Sequence, residues 1–184
     1  MGKMLTPKTD FEFDCIEKGD YVLKVKETKV EPQKDGKTSG KSFIAVLTPV
    51  GGSEEGKVHF ERFFENSKDD FSMEKLAGFV IKLGMLKPTG PIDIDLFRTP
   101  EFEERWLKNA PGREMGGKIA HRTTGQGGVK LDNPQSDLKV YYTKDEVLAV
   151  LAKKQVTGAP GISTAAPAAA TTAAPAAPTT SAWD

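Results

Sequence analysis

The last part of the sequence is a long uncharged stretch that cannot contribute to a folded core. Between Thr157 and Thr180 the chain is almost entirely alanine, proline, threonine and glycine, and Ile162 is the only larger apolar side chain. Such a segment cannot bury enough apolar surface to offset the entropy lost on ordering. The repeated prolines also prevent the alanines from forming one long helix. We therefore predict a folded domain over residues 1–155 and a disordered, extended tail over residues 156–184.

The remaining residues are enough for one domain, since domains usually contain about 100–150 residues. Cys15 is the only cysteine of the chain, which excludes an internal disulfide. The opening stretch MGKMLTPKTDFEFD lacks the apolar run of a signal peptide, and no stretch approaches the roughly 20 apolar residues that span a bilayer. We expect a soluble, cytoplasmic protein that does not associate with membranes.

Alternating apolar and polar residues predict three strands at the start of the domain. In GDYVLKVKETKV, Tyr21, Leu23 and Val25 alternate with Lys24 and Lys26, as in a half-buried strand. KSFIAVLTPV and KVHFERFFEN are the predicted second and third strands, and the stretches between them contain turn residues. Three consecutive strands with these connections predict an antiparallel meander.

Two helices are predicted to follow the third strand. FSMEKLAGFVIKLGML carries apolar residues at helical spacing. RTPEFEERWLKNAPG begins with Thr99 as a cap and Pro100 in the first turn. Phe102 and Trp106 are four residues apart and share one face of this second helix, which we assign to the core.

Two further strands and a helix complete the domain. The strands are predicted around residues 118–123 and 138–142, and the Gly-rich stretch TGQGGVKLDNPQSD between them is predicted to be a mobile loop. Thr143 and Glu146 form a capping box for the last helix. This element order predicts a mainly β protein with an OB-fold, a five-stranded Greek-key barrel with helices between strands three and four and a C-terminal helix. An SH3-like barrel or another small α+β sheet is the alternative.

The net charge is zero, but the charges are unevenly distributed along the chain. Residues 24–41 contain six lysines against three acids, and residues 105–130 contain six Lys or Arg against one acid. Residues 54–74, in contrast, contain seven acids. Such a chain can present a basic groove on one side. On charge alone, an ordinary solvated surface is the simpler interpretation.

No residue pattern indicates an enzyme. His59, His121 and Cys15 are far apart in the sequence and do not form a metal-ligand motif. GREMGGK shares glycines and a lysine with phosphate-binding loops but lacks the Ser or Thr after Lys118. We therefore expect no catalytic residue, no metal and no cofactor.

The predicted strands combine aromatic and basic residues, as a groove for single-stranded nucleic acid requires. Cations bind phosphates and flat rings stack on bases, each stack contributing about 1–3 kcal/mol. Core burial is the competing interpretation for a phenylalanine on a strand. HFERFFEN has phenylalanine in both registers, so at least one ring faces away from the core. The candidate DNA-binding residues are Lys24, Lys26, Lys41, Phe43, Phe60, Arg62, Arg113, Lys118, Arg122 and Tyr141.

Several segments resemble, in order and spacing, a family of bacteriophage proteins. They are FDCIEKGDYVLKVKETKV, GKSFIAVLTPV, GKVHFERFFEN, LAGFVIKLGML and GGKIAHRT. That family, long known only as a domain of unknown function, is now regarded as OB-fold single-stranded DNA-binding proteins. The resemblance covers Phe11 to Thr143, and PIDIDLFRTPEFEERWLKNAPG is longer and more helical than in the family. It implies a non-enzymatic protein that coats single-stranded DNA without sequence preference in phage replication or recombination.

The end of the chain is similar in layout to the tail of bacterial single-stranded DNA-binding proteins. In that family an uncharged linker leads to an acidic tip with a terminal hydrophobic group, and the tip docks on replication and recombination proteins. Here the implied partner-binding residues are Trp183 and Asp184, although the acidic run is missing. An end without a binding role is the alternative.

The sequence therefore predicts a single-stranded DNA-binding protein. It leaves the oligomeric state open, a homo-oligomer included. The alternative is a non-enzymatic protein-interaction module, or a structural phage protein, built on a small β-barrel.

Overall fold

The computed structural model describes residues 15–33, 40–65, 70–87, 90–125 and 128–156. Within these ranges the chain is mainly β, with five strands, three α-helices and one short 3-10 helix, Ile94–Arg98. The strands are β1 (Gly19–Pro32), β2 (Lys41–Pro49), β3 (His59–Phe64), β4 (Glu114–Thr124) and β5 (Lys130–Tyr142). The α-helices are α1 (Phe71–Lys82), α2 (Pro100–Asn109) and α3 (Lys144–Val156).

All five strands belong to one antiparallel sheet in the order β3-β2-β1-β4-β5. The predicted meander of the first three strands is confirmed. The predicted barrel is not closed by a strand ladder, because β3 and β5 are the two edges of this sheet and do not pair with each other. The predicted tail, with Trp183 and Asp184, lies outside the described residues, which end at Val156.

The helices cover the sheet on both faces. The inner face of the sheet packs on α1 and α2 around a cluster of buried rings, in which Trp106 has no exposed surface. Phe43, Phe63, Phe79 and Phe102 all lie with their ring centroids within 6.3 Å of the Trp106 ring. The prediction that Phe102 and Trp106 belong to the core is confirmed.

Hydrogen bonds tie α2 to the middle of β1. The indole nitrogen of Trp106 donates to the carbonyl of Lys29 at 3.2 Å, and the hydroxyl of Thr28 donates to the carbonyl of Trp106 at 2.8 Å. The N-terminus of α2 is capped as predicted, because the Thr99 hydroxyl accepts the backbone N–H of Phe102. The part of the β3–β4 insertion that contains α2 is therefore fixed to β1.

Three local features differ from the sequence-based expectation. The strand β5 begins at Lys130, so the second part of the stretch predicted to be a mobile loop belongs to a strand that pairs with β4. The 3-10 helix before α2 was not predicted. A bulge at Lys26 shifts the register between β1 and β2, and residues 27–32 therefore face opposite sides from those that simple alternation gives.

Helix α3 packs on the outer face of the sheet, where β4 has no side chain at Gly116. The capping box is confirmed, since Thr143 and Glu146 each accept the other's backbone N–H through a side-chain oxygen. A Cβ added at Gly116 would lie 2.4 Å from the Cβ of Val147. A Cβ at Gly117 would instead meet the flexible ends of two leucine side chains on the inner face.

We expect Gly116→Ala to destabilise the protein by about 1–3 kcal/mol, as overpacking of a core does, because α3 must move away from the sheet. Gly117→Ala should cost less, since leucine methyl groups can rotate away. Gly90→Ala is the control, because nothing lies within 4 Å of a Cβ there. Urea unfolding measures the free energy of unfolding that each of the three variants loses. A loss for Gly116→Ala that is equal to or smaller than the loss for Gly117→Ala would contradict the proposed packing.

Candidate nucleic-acid interface

Strand β3 presents two rings and a cation to solvent. His59, Glu61 and Phe63 point inward and are buried. The residues between them are exposed, Phe60 at 63% and Phe64 at 39%. The strict alternation follows from the pleat of the strand, since Phe63 packs in the core and fixes the register of its neighbours. Phe60 and Arg62, both candidate DNA-binding residues, therefore lie on the same face of the strand.

Strands β2 and β1 extend this surface with an apolar strip and a row of alternating lysines and glutamates. Ile44 and Val46 are buried although they face away from the core cluster, and they pair in register with Arg62 and Phe60. On their other side lies β1, where Lys29 and Glu27 pair in register with Ile44 and Val46 and form an ion pair at 3.2 Å. We call this surface the β1–β3 outer face, and it comprises Lys24, Glu27, Lys29, Ile44, Val46, Phe60, Arg62 and Phe64.

A groove of about 770 Å³ adjoins the β1–β3 outer face at Phe60. It lies between the loop that leads into β3 and the first half of β5. Arg122 and Gln135 line the β5 side, and the guanidinium of Arg122 donates to the amide oxygen of Gln135 at 2.8 Å. Lys57 lines the opposite side. An exposed ring and two cations thus border one opening.

A buried carboxylate joins the two edges of the sheet below this groove. Glu61 of β3 accepts hydrogen bonds from the ammonium of Lys75 at 2.6 Å and from the hydroxyl of Tyr141 at 2.9 Å. Its second oxygen lies 2.9 Å from the Nε2 of His59. We call these four residues the seam network, because they bridge β3, α1 and β5 where no backbone ladder exists.

The contacts within the seam network shift the pKa of Glu61 and of Tyr141. Burial raises the pKa of Glu61, but the hydrogen bond from His59 and the charge of Lys75 outweigh it and hold that pKa below the usual range. Burial, and then the neighbouring charge of Glu61, raise the pKa of Tyr141. The carboxylate is therefore charged and the phenol neutral at neutral pH.

Seven of the ten candidate residues are exposed on strands: Lys24, Lys26, Lys41, Phe60, Arg62, Lys118 and Arg122. The structure brings Lys24, Phe60 and Arg62 together on the β1–β3 outer face and places Arg122 in the adjoining groove. Lys118 is on β4, in register with Asp20 and Val140, on the side of the sheet that α3 covers.

Two aromatic candidates are corrected by the structure. Phe43 is only 1% exposed and packs edge-on against Phe102 and Trp106, so it belongs to the core. Tyr141 is half-buried, packs against Phe79 and donates its hydroxyl to Glu61. Neither ring is available for stacking on a base.

Two cationic candidates are engaged elsewhere. Arg113 donates from Nε to the carbonyl of Asn109 and from Nη1 to the carbonyl of Gly84, so its guanidinium joins the ends of α2 and α1. Lys41 forms an ion pair with Glu103 on α2. Both positions lie at the side of the sheet away from the groove.

Sequence reasoning missed Lys29 and Lys57. Simple alternation places Lys29 on the same face as Leu23 and Val25, and only the bulge at Lys26 turns it to the outer face. Lys57 lies in a loop, where no periodicity indicates direction. In GDYVLKVKETKV the charged residues change from even-numbered to odd-numbered positions after Lys26. This change was the one sequence signal of the bulge.

Two further searches of the described ranges bear on the kind of site. No group of three or more His, Cys, Asp or Glu residues in this part of the chain is arranged to hold a metal ion. None of the helices formed by these residues has both the length and the apolar character needed to cross a membrane. No protein-family model matches the sequence, and no curated protein is significantly similar to it.

We expect the stability contributed by Glu61 to depend on pH. Its folded-state pKa lies below the unfolded value of about 4.3, so this stability is complete above that pH and is lost as the pH falls through the folded-state pKa. Glu61→Gln should therefore destabilise the protein at pH 7 by about 1.5–3 kcal/mol, as the loss of hydrogen bonds to a charged group does. The difference from the wild type should shrink towards pH 3.

Urea unfolding at a series of pH values measures this difference. Glu104→Gln is the control, because it removes an exposed carboxylate paired only with Lys108 on the same helix. A Glu61→Gln penalty that stays constant from pH 7 to pH 3 would show that the charge of Glu61 does not hold the seam network.

Proposed function

We propose that this protein binds single-stranded DNA, without sequence preference, through the β1–β3 outer face. The observation that carries the proposal is the exposed ring of Phe60 next to Arg62, on a sheet face that also carries the exposed Lys24 of β1. A base can stack on Phe60, and Arg62 and Lys24 can neutralise the phosphates on either side. Among the described residues no helix forms part of this surface, and a helix is what a major groove admits, so the surface is better suited to single strands than to duplexes.

The sheet topology supports an OB-fold as the framework of this site. A meander of three strands, β1 paired with both β2 and β4, and helices between β3 and β4 make up the OB connectivity. OB-folds are partly open barrels, and they bind oligonucleotides on the face of strands 2 and 3. In this protein the opening lies between β3 and β5, where the seam network replaces the missing ladder.

The biological setting follows from the resemblance to phage single-stranded DNA-binding proteins. We propose that the protein acts in phage DNA replication or recombination, in the cytoplasm of the host cell. It would coat single strands and recruit partner proteins through Trp183 and Asp184. Neither role requires catalysis.

We expect the full-length protein to bind oligo-dT with log affinity falling against log salt at a slope of about −0.7 per phosphate contacted. Phe60→Ala should weaken binding by about 1–3 kcal/mol, the contribution of one stacked base. Arg62→Ala should weaken binding and reduce the salt slope by roughly one contact. Fluorescence titration at two salt concentrations measures both effects.

The control variants remove an apolar side chain and a cationic side chain outside the proposed interface. Leu107→Ala removes an exposed apolar side chain of α2, and Lys108→Ala removes a cation of the same helix. Tyr141→Phe tests the reassignment of that ring to the seam network, and it should leave the affinity unchanged while lowering stability. Binding that ignores salt, or no binding at low salt, would favour the protein-interaction or structural alternative.

We expect Trp183→Ala to keep the affinity for oligo-dT and to abolish capture of replication or recombination proteins from phage-infected cells. An aromatic ring beside a carboxylate can enter an apolar pocket with a basic rim, and rings dominate such hot spots. Trp183→Phe retains a ring and is the matched control. Equal capture by the wild type and both variants would mean that the tail does not recruit.

A further inference from the structure

The groove between β3 and β5 combines an aromatic ring with a cation, which are the two groups that a nucleotide needs. The exposed ring of Phe60 lines the β3 side, and Arg122 lines the β5 side. Its volume of about 770 Å³ lies within the range of about 300–1,000 Å³ that is usual for small-ligand sites. Glu55 is the one carboxylate among the described residues of the lining, and it is exposed to water, which weakens its repulsion of a phosphate.

Arg122 differs from the other cation of the groove in what it contacts. Lys57 forms an ion pair with Glu54 at 3.0 Å and donates to the carbonyl of Cys15, so its charge is balanced within the protein. The guanidinium of Arg122 donates to the neutral amide oxygen of Gln135 at 2.8 Å. A guanidinium has five N–H donors, so Arg122 can keep this contact and also bind a phosphate.

The backbone of β3 supplies neutral hydrogen-bonding groups at the same place. The N–H of Glu65 donates to the carbonyl of Lys41 on β2, whereas the N–H of Phe64 donates to the hydroxyl of Ser72 on α1. Successive backbone groups on a strand point in opposite directions, so the N–H and C=O of Phe60 point away from β2. Among the described residues β2 is the one strand that pairs with β3. A base can therefore bind to the backbone of Phe60.

The two directions that a DNA strand can take from Phe60 differ in charge. Across the sheet, Phe60 is in register with Val46, and Val46 is in register with Glu27. The carboxylate of Glu27 already holds the ammonium of Lys29 at 3.2 Å, so a phosphate gains little on this line. In the opposite direction, over the edge of β3, a phosphate meets Arg122. Electrostatic attraction therefore favours the path into the groove.

We propose that the groove binds the nucleotide next to the one that stacks on Phe60, so that bound single-stranded DNA turns over the edge of β3 towards β5. Arg122 contacts the phosphate of that nucleotide, and the backbone of Phe60 contacts its base. This inference rests on the proposed function, because it concerns the path of the same DNA strand. It extends the interface from the β1–β3 outer face across β3 to residues of β4 and β5.

The phosphate contact is tested by titration of the full-length protein with oligo-dT at several salt concentrations. Arg122→Gln should bind about tenfold more weakly, as the loss of a hydrogen bond to a charged group does. The slope of log affinity against log salt should become shallower by about 0.7, the contribution of one phosphate. Arg122→Lys keeps the charge and should restore the slope.

The matched control for this titration is Arg98→Gln. It removes an exposed guanidinium that is paired with Asp95 on the 3-10 helix, outside the groove. The control should leave the salt slope unchanged. Equal losses for Arg122→Gln and Arg98→Gln would overturn the inference, and so would a slope that Arg122→Lys does not restore.

Occupation of the groove is tested by alkylation of Cys15. This residue is the only cysteine of the chain, lines the groove and is half-buried. When about 90% of the wild type is bound to oligo-dT, alkylation should slow by about tenfold, because only the free protein reacts. Arg122→Gln, brought to the same saturation with more oligo-dT, should be protected less. An unchanged rate in the saturated wild type, or equal protection of the two proteins, would overturn the inference.

The failure of this inference can be told apart from the failure of the proposed function. Binding of oligo-dT without protection of Cys15 would reject the path through the groove and retain the function. No binding of oligo-dT at low salt would reject both. Thymidine monophosphate is the last probe: if it protects Cys15 in a protein that does not bind oligo-dT, the groove is a site for free nucleotides and the path is overturned.

Discussion

A single buried carboxylate connects the two edge strands of this sheet. Glu61 lies on one edge strand, and its partners Lys75 and Tyr141 lie on a helix and on the opposite edge strand. No backbone ladder joins the two edges, so side chains must hold them together. A charge in such a place is costly unless every lone pair is occupied, and removal of one partner leaves an uncompensated group. The side-chain connection between the two edges therefore depends on three donors converging on one residue.

The same strand couples the core to the proposed interface. Phe63 packs against Phe79 and Trp106, and Glu61 occupies the next inward position on β3. A shift of the strand register by one residue would therefore bury Phe60 and turn Glu61 towards solvent. The exposed rings are consequently not free to vary in direction. Core packing fixes where they point, and a binding surface on a rigid strand costs little conformational entropy when a ligand is bound.

Element type was predictable from the sequence because periodicity and capping are local. The five strands, the three helices and the caps of α2 and α3 all follow from patterns within about a dozen residues. The choice between core and surface for a given ring was not predictable, since both registers of HFERFFEN are aromatic. Phe43 and Tyr141 were wrongly predicted to be exposed, because their directions are decided by contacts with residues that are distant in sequence. Phe43 packs on Trp106, and Tyr141 donates a hydrogen bond to Glu61. The bulge at Lys26 and the extension of β5 back to Lys130 likewise depend on the pairing partner.

The open side of the sheet raises a physical problem that the structure solves only in part. An uncovered edge strand with exposed rings can pair with other chains. Strand β3 limits this risk by being short, by carrying Arg62 at its centre and by having the N–H of Phe64 capped by Ser72. The backbone groups of Phe60 and Arg62 are still directed at the groove, next to the most exposed ring of the sheet. The open part of this edge is therefore limited to the backbone of Phe60 and Arg62, and the charge of Arg62 opposes pairing with another chain.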